Sequence, residues 1–179
     1  MSDAAAAVAP SRGPQPAPAH PGLTIGHVHL KVADIDRALG FWRDAIGLEV
    51  QQRLGRPGAP GAVFLSAGGY HHHIALNTWE SEGGGPPPAG TTGLYHVALL
   101  YPDRAALAGA LRRVLAAGIA LEGASDHGVS EALYLRDPDG NGVELYRDRP
   151  REDWPRDSAG ALAMVTRRLD LEALLAEPG

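Results

Sequence analysis

The stretch IGHVHLKVADIDRALGFWRDAIGLEV (residues 25–50) decides the fold, because a strand, an acidic turn, a helix and a second strand follow one another in it. Residues 25–32 alternate between apolar and polar side chains, as a strand with one buried face does. Residues 36–45 carry apolar side chains at helical spacing, and Gly47 is the residue type that commonly ends helices. The stretch therefore predicts a β-α-β unit.

The same order of elements returns further along the chain, at an offset of 69 to 70 residues. Residues 94–101 (LYHVALLY) match residues 25–32, and a helix is predicted over residues 104–117, ended by Gly118. Each helix is followed by three segments of strand character. Those segments are LEVQQRL, AVFLSAG and HHIALNTW in the first half, and IALEGAS, ALYLRD and GVELYRD in the second. We predict an α+β fold of two βαβββ modules that form a cup-shaped mixed sheet with the helices outside.

Composition divides the chain into five segments. Ala and Pro dominate its start, which predicts a disordered leader, and the run SEGGGPPPAGTT predicts a linker because it suits neither a helix nor a central strand. The expected segments are the leader 1–21, the first module 22–80, the linker 81–92, the second module 93–150 and a tail 151–179. Within the tail, residues 161–168 and 169–176 are predicted to form short helices on the outside.

The overall composition narrows the class of function. The chain has 179 residues, a formal net charge of −5 and no cysteine, so any metal must be held by His, Asp or Glu. No apolar run approaches the roughly 18 residues of a membrane span, and no signal-peptide pattern is present, so we expect a cytoplasmic protein that does not bind membranes. Mild acidity with scattered arginines argues against nucleic acid as the partner. A small molecule is the expected ligand.

Three residues are candidate metal ligands. His27 and His96 occupy equivalent positions on the first strand of each half, and Glu144 places a carboxylate on an otherwise apolar strand, where it needs a partner. Two histidines and one carboxylate at one point form a facial triad with open positions, which suits Fe(II) and tolerates Mn(II), Ni(II) or Zn(II). We therefore predict one site for a divalent metal.

Two further side chains are candidates for chemistry beside that metal. The match between the halves places Ile74 at the position of Glu144, and strand alternation then puts His72 on the same face, where it could move protons as an acid/base. Tyr134, which aligns with Phe64, could donate a hydrogen bond to a bound anionic oxygen.

Several of these features have structural alternatives. His29 shares a strand face with His27 and competes for its role, and the run YHHH (residues 70–73) is also compatible with a polar loop or an adventitious metal binder. His127 is a third candidate for the chemistry if it lines the cavity, but it is equally compatible with a bond inside its own turn. The segment DPDGNG (residues 137–142) has the alternating Asp and Asn of a calcium loop, yet it is too short and lacks the closing Glu, so a tight hairpin is predicted.

At these residues the sequence resembles the vicinal oxygen chelate superfamily, which includes glyoxalases, bleomycin-resistance proteins and type I extradiol dioxygenases. The opening stretch quoted above resembles the first strand and helix of that family, and YLRDPDGNGVELY resembles its closing hairpin. The likeness covers residues 24–150. Within the family, GYHHHIALNTW, GLYHVALLYP and DHGVSEALYLRDPDGNGVELY look most like bacterial catechol 2,3-dioxygenase-like proteins.

The resemblance implies roles for the candidate residues. In extradiol dioxygenases the metal ligands are a His on the first strand of each of two successive modules and a Glu on the last strand, and these fall on His27, His96 and Glu144. The acid/base His of the family falls on His72, and its substrate-bonding Tyr falls on Tyr134. The implied reaction is O₂-dependent cleavage of a catechol-like ring next to its hydroxyls, with Fe(II) as the metal. The resemblance alone also implies a homodimer.

This chain differs from each of three groups within the family, so other functions remain possible. Glyoxalase I carries a fourth ligand, a Glu, at the position assigned here to Ile74, which counts against lactoylglutathione lyase activity. Bleomycin-binding members usually lack metal ligands, whereas many extradiol dioxygenases have four modules and this chain has two. The alternatives are an isomerase or lyase that uses a divalent metal to stabilise an enediolate, and a non-catalytic binding or resistance protein. Closure of the cup within one chain or across a dimer is left open by the sequence.

Overall fold

The computed structural model describes residues 17–56 and 59–178. Residues 1–16, most of the predicted leader, lie outside the described residues, and residues 17–21 are exposed. Within the described ranges, no helix is long and apolar enough to cross a membrane.

The first sheet has four strands. Its order is β1 (Val28–Lys31), β4 (Ile74–Asn77), β3 (Ala62–Ser66) and β2 (Glu49–Leu54). β1 and β4 are parallel, whereas the other two pairs are antiparallel. β1 is shorter than the strand predicted over residues 25–32 and leaves one of its edges unpaired within this sheet.

The second sheet repeats this arrangement and adds a strand. Its order is β5 (Val97–Tyr101), β8 (Gly142–Asp148), β7 (Ser130–Arg136), β6 (Gly123–Asp126) and β9 (Arg167–Arg168). β5 and β8 are parallel, as β1 and β4 are in the first sheet. The predicted α+β class with two βαβββ modules is confirmed, and hydrogen bonding groups the strands into sheets of four and five.

Each module has one helix between its first and second strands. α1 (Ile35–Leu39) continues directly into a π-helical segment, Gly40–Ala45, and α2 is Arg104–Ala116. Asp34 and Asp103 cap the two helices, because each carboxylate accepts a hydrogen bond from the backbone N–H three residues on. The acidic turn before each predicted helix therefore serves as its N-cap.

Glycines end both helices as predicted. Gly47 has a φ of 93° and Gly118 a φ of 71°, in the left-handed region where a helix commonly stops. Leu115 follows Leu111 at helical spacing and would be expected on the buried face, but it is 46% exposed. Val114 is buried instead, because the apolar face advances by three residues at this turn.

The core lies between the helices and one face of each sheet. Its largest fully buried side chains include Trp42, Leu65, Ile74, Leu76, Leu107, Leu111, Leu133 and Leu145. The hairpin tip between β7 and β8 reaches across to the first module. There the buried carboxylate of Asp137 accepts a hydrogen bond from the indole Nε1 of Trp42 at 3.3 Å, and Asp139 accepts one from the backbone N–H of Ala33 at 2.8 Å. The predicted tight hairpin thus joins the two modules.

The tail departs from the prediction in its first part. The helix predicted over residues 161–168 is wrong: Leu162 bridges to Arg156, and β9 pairs with β6. The physical reason is the otherwise free edge of β6, whose backbone groups need hydrogen-bond partners. The second predicted helix is present as α3 (Leu171–Leu175), and Leu174 is fully buried in the core.

Candidate active site

Four polar side chains form a hydrogen-bonded chain on the face of the second sheet that is turned away from the core. Tyr134 and Glu144 lie directly opposite one another on β7 and β8, and the Tyr134 hydroxyl donates to Glu144 Oε1 at 3.1 Å. His96 Nε2 lies 2.9 Å from the other carboxylate oxygen, Oε2. His127 Nε2 lies 2.8 Å from the Tyr134 hydroxyl oxygen. We call these four residues the Glu144 cluster.

The Glu144 cluster borders a cavity of about 500 Å³, which is lined by three of its members together with Gly123 and Ser125. Glu144 itself is largely buried, with 13% of its side chain exposed. Gly123 lies opposite Tyr134 in the strand register, and a Cβ added there would come within 3.9 Å of the tyrosine ring. A larger residue at this position would contact the tyrosine ring at the cavity wall.

The protonation state of Tyr134 follows from its surroundings. Burial, then the negative charge of Glu144 and the hydrogen bond to it, raises the pKa of Tyr134 to about 12. The phenol therefore stays protonated at neutral pH and remains a donor, with its one hydrogen directed at Glu144 Oε1 in this structure.

His127 is held in place by the tail. Its backbone N–H donates to the Ser130 carbonyl, and its carbonyl accepts from the N–H of Val165. Its ring Nδ1 lies 3.0 Å from the Val165 carbonyl oxygen and 3.3 Å from the Thr166 hydroxyl oxygen. The structure thus places His127 in a turn and at the cavity at the same time.

In the first module, His27 and His72 lie side by side with their ring centroids 4.4 Å apart. The ring of Phe64 packs edge-on against His72 at 5.1 Å. Desolvation, followed by the neighbouring His27, lowers the pKa of the His72 imidazole below its usual value, so its neutral form is favoured. His29, the competitor of His27, is engaged elsewhere, since its Nε2 lies 2.9 Å from the side-chain nitrogen of Asn77.

The strand register shows which residue of the first module is equivalent to Glu144, and it differs from the residue assigned from the sequence. Ala75 lies opposite His29, and Glu144 lies opposite Ala98, which is the equivalent of His29 at an offset of 69 residues. The assignment of Ile74 to the Glu144 position is therefore wrong, and Ile74 is instead 1% exposed in the core. An alanine binds no metal either, so the chain still lacks a carboxylate at this fourth-ligand position.

His72 lies beside His27, but strand alternation, which was the expected reason for its orientation, does not account for this position. β4 begins at Ile74, so residues 70–73 precede the strand, and alternation along β4 does not determine the orientation of His72. His72 reaches His27 through this bend. The strand-alternation argument for its orientation is therefore wrong, although the two rings are neighbours.

One residue from each group of predicted site residues borders a common cleft. His27 and His96 both line a cavity of about 830 Å³ that runs along β1 and β5. Within residues 17–56 and 59–178, no three His, Asp or Glu side chains are gathered closely enough to hold a metal. The structure thus brings His96 and Glu144 together and keeps His27 beside His72.

The geometry of His96 and Glu144 suits two ligands of one metal. Two atoms that each lie about 2.1 Å from a metal, at right angles, are separated by roughly 3 Å. Nε2 of His96 and Oε2 of Glu144 are 2.9 Å apart. An imidazole and a carboxylate are also donor types that Fe(II), Mn(II), Ni(II) and Zn(II) accept. These two residues therefore fit two ligand positions of a divalent-metal site, and His27, which lies apart from them in this structure, is the predicted third ligand.

Two residues at the cavity were not singled out from the sequence. Arg136 Nε lies 2.6 Å from Glu122 Oε1, and both side chains line the cavity of the Glu144 cluster. Arg136 could have been found, because it follows Tyr134 by two residues and so shares its strand face. Glu122 lies just before β6 and carries no comparable signal.

The chain is similar in sequence to one family model and to two curated dioxygenases. The family model described as Glyoxalase/Bleomycin resistance protein/Dioxygenase superfamily matches residues 24–145. The catechol-2,3-dioxygenase of Bacillus subtilis (strain 168) is 42% identical over 160 residues, which cover 89% of this chain and 54% of that protein. The biphenyl-2,3-diol 1,2-dioxygenase 3 of Rhodococcus globerulus is 33% identical over 127 residues, which cover 69% of this chain and 63% of that protein. The chain thus spans little more than half the length of these curated relatives.

A solved structure shows the same fold. The glyoxylase/bleomycin resistance protein/dioxygenase domain from Frankia sp. EAN1pec superposes with a TM-score of 0.60. The two proteins are 22% identical, and the match covers 71% of this chain and 98% of that chain. At this identity the likeness concerns the fold alone.

Proposed function

The chain belongs to the glyoxalase/bleomycin resistance protein/dioxygenase superfamily, and from that premise we propose that it is an extradiol-type dioxygenase acting on a small catechol-like molecule. The observation that carries the proposal is the Glu144 cluster, in which two predicted ligands and two hydrogen-bonding side chains meet at a cavity of about 500 Å³. The names of the two curated relatives, which are dioxygenases of aromatic diols, support it. Because the chain spans 54% and 63% of those proteins, the activity is proposed on the site's own geometry as well.

In this proposal His96, Glu144 and His27 hold one divalent metal. The metal, Fe(II) in the first place and Mn(II), Ni(II) or Zn(II) as alternatives, would supply Lewis acidity and open coordination positions when bound. Glu144 is suited to its part because its side chain is largely buried and both of its oxygens are already oriented, one by Tyr134 and one by His96.

The remaining steps belong to side chains of the chain itself. Tyr134, protonated at neutral pH, would turn its single hydroxyl hydrogen from Glu144 Oε1 to an oxygen of the substrate that gains negative charge. His127 orients Tyr134 from the other side at 2.8 Å. His72, whose lowered pKa favours the neutral imidazole, accepts a proton from a substrate hydroxyl and later returns it.

The proposal requires His27 to approach His96 across the cleft between β1 and β5. The lining of this cleft includes exposed apolar side chains, with Ile25 90%, Leu94 57% and Leu100 57% exposed. Such a lining beside free strand edges suits coverage by a second copy of the chain. We therefore expect light scattering to give twice the chain mass, and a single-chain mass at all concentrations would contradict the homodimer.

Substrate assays test the proposed function. Iron-loaded protein under air is expected to give a yellow ring-cleavage product with at least one compound of a broad catechol panel, and no product when O₂ is excluded. Activity without O₂, supported by Ni(II), Co(II) or Zn(II), would contradict the proposal and favour an isomerase or lyase. Tight binding of an aromatic molecule that survives chelation, without turnover, would favour a binding or resistance protein instead.

A further inference from the structure

The mouth of the cavity beside the Glu144 cluster carries one fixed ion pair. Arg136 follows Tyr134 by two residues on β7, so the two side chains leave the same face of the sheet. Arg136 Nε lies 2.6 Å from Glu122 Oε1, and its Nη1 donates to the Gly140 carbonyl at 2.8 Å. About half of each charged side chain is exposed, at 48% for Arg136 and 50% for Glu122. An entering ligand can therefore reach the pair.

The charge balance of the cavity wall depends on this pair. Apart from its histidines, the ionised side chains among the described residues that line the cavity are Glu122 and Arg136. Their formal charges cancel, so the guanidinium that could have bound a substrate carboxylate already has one as a partner. Apart from the proposed metal, whose open positions are for the catechol hydroxyls, the wall offers no uncompensated cation to a carboxylate elsewhere on the ligand, and it leaves an uncharged ligand unaffected.

We propose that the Glu122–Arg136 pair determines substrate specificity, by selecting an uncharged catechol over one that bears a carboxylate. The inference rests on the proposed function, since it names the substrate class of the same site. Without the Glu122 charge, Arg136 would stay at the mouth because the Gly140 carbonyl still holds its Nη1. The cavity would then present a free guanidinium and would favour the carboxylate-bearing ligand.

The test compares two ligands that differ chiefly in charge, 3,4-dihydroxybenzoate and its methyl ester. Their dissociation constants are measured by calorimetry on metal-loaded protein kept without O₂, so that binding is read independently of turnover. Because the pair is half exposed, Glu122→Gln is expected to shift the ratio of the two constants about three- to fivefold toward the carboxylate. The shift should shrink in about 0.5 M NaCl, because exposed charges are screened there.

Two further variants distinguish an effect of the charges of the Glu122–Arg136 pair from a general structural effect of breaking an exposed ion pair. Arg136→Gln leaves Glu122 uncompensated and is expected to shift the same ratio in the opposite direction. Asp36→Asn removes the carboxylate of another exposed ion pair, Arg53–Asp36, at the first module, and should leave the ratio unchanged. An unmoved ratio in Glu122→Gln, equal changes for both ligands, or no binding of either ligand to the wild type overturns the inference. Absence of ring cleavage with a shifted binding ratio would instead count against the dioxygenase reaction alone.

Discussion

Replacing Glu144 by glutamine is expected to remove the metal and the activity together. The substitution keeps the shape of a largely buried side chain but replaces an anionic ligand by a weak neutral one. Metal content measured by mass spectrometry after anaerobic purification should fall from about one ion per chain to almost none. The value of kcat/KM for ring cleavage should fall by more than about 100-fold.

The matched control for this variant is Tyr134→Phe, which removes the hydroxyl bonded to the same carboxylate. It should keep its metal and lose turnover by roughly 10- to 100-fold, because the phenol orients a ligand and a substrate oxygen without itself holding the metal. Full metal content in Glu144→Gln, or loss of metal in Tyr134→Phe alone, would show that the ligands lie elsewhere.

Replacing Glu131 by glutamine is expected to cause a large loss of stability. Glu131 on β7 has 5% of its side chain exposed and lies within salt-bridge distance of three guanidinium groups. These belong to Arg104 at 3.0 Å, Arg147 at 2.8 Å and Arg149 at 3.1 Å. A glutamine offers them a single neutral acceptor, so positive charge would be left uncompensated in a largely buried position. The free energy of unfolding should fall by about 3 kcal/mol or more.

Thermal denaturation measures this effect against an exposed pair as the control. For a chain of this length, about 3 kcal/mol corresponds to a decrease in Tm of roughly 6–12 °C. Glu80→Gln breaks the pair of Glu80 with Lys31, whose side chains are 77% and 63% exposed, and should change stability by less than about 1 kcal/mol. Equal Tm values for the two variants would mean that the Glu131 network does not stabilise the fold.

Much of the fold could be predicted because the two modules repeat the same local signals. The helix-capping Asp34 and Asp103, and the helix-ending Gly47 and Gly118, act through contacts within a few residues, so sequence spacing is sufficient to locate them. For residues 161–168, by contrast, the local sequence pattern predicted a helix that the structure does not contain. Their conformation depends on the free edge of β6, which is distant in sequence and which helical propensity does not report.

The candidate site was predictable where it depends on strand register and not where loops intervene. Tyr134 and Glu144 are opposite one another because the hairpin between them is tight, and both had been singled out as candidates, Tyr134 by its match to Phe64 and Glu144 by its apolar neighbours. The corresponding hairpin of the first module is one residue longer, since Phe64 pairs with Ala75, and this shift misled the assignment of Ile74. The position of His27 relative to the Glu144 cluster depends on how the two sheets approach one another, which local pattern does not specify.

The fate of molecular oxygen tests the central claim most directly. Iron-loaded protein would be incubated under ¹⁸O₂ with a catechol that it has been shown to cleave, and the mass of the product would be determined by mass spectrometry. An extradiol-type dioxygenase predicts that both labelled atoms enter the ring-cleaved product, with any loss explained by exchange with water measured in a parallel control. A product formed without label, or a substrate that is isomerised without oxygen uptake, would contradict the proposed function.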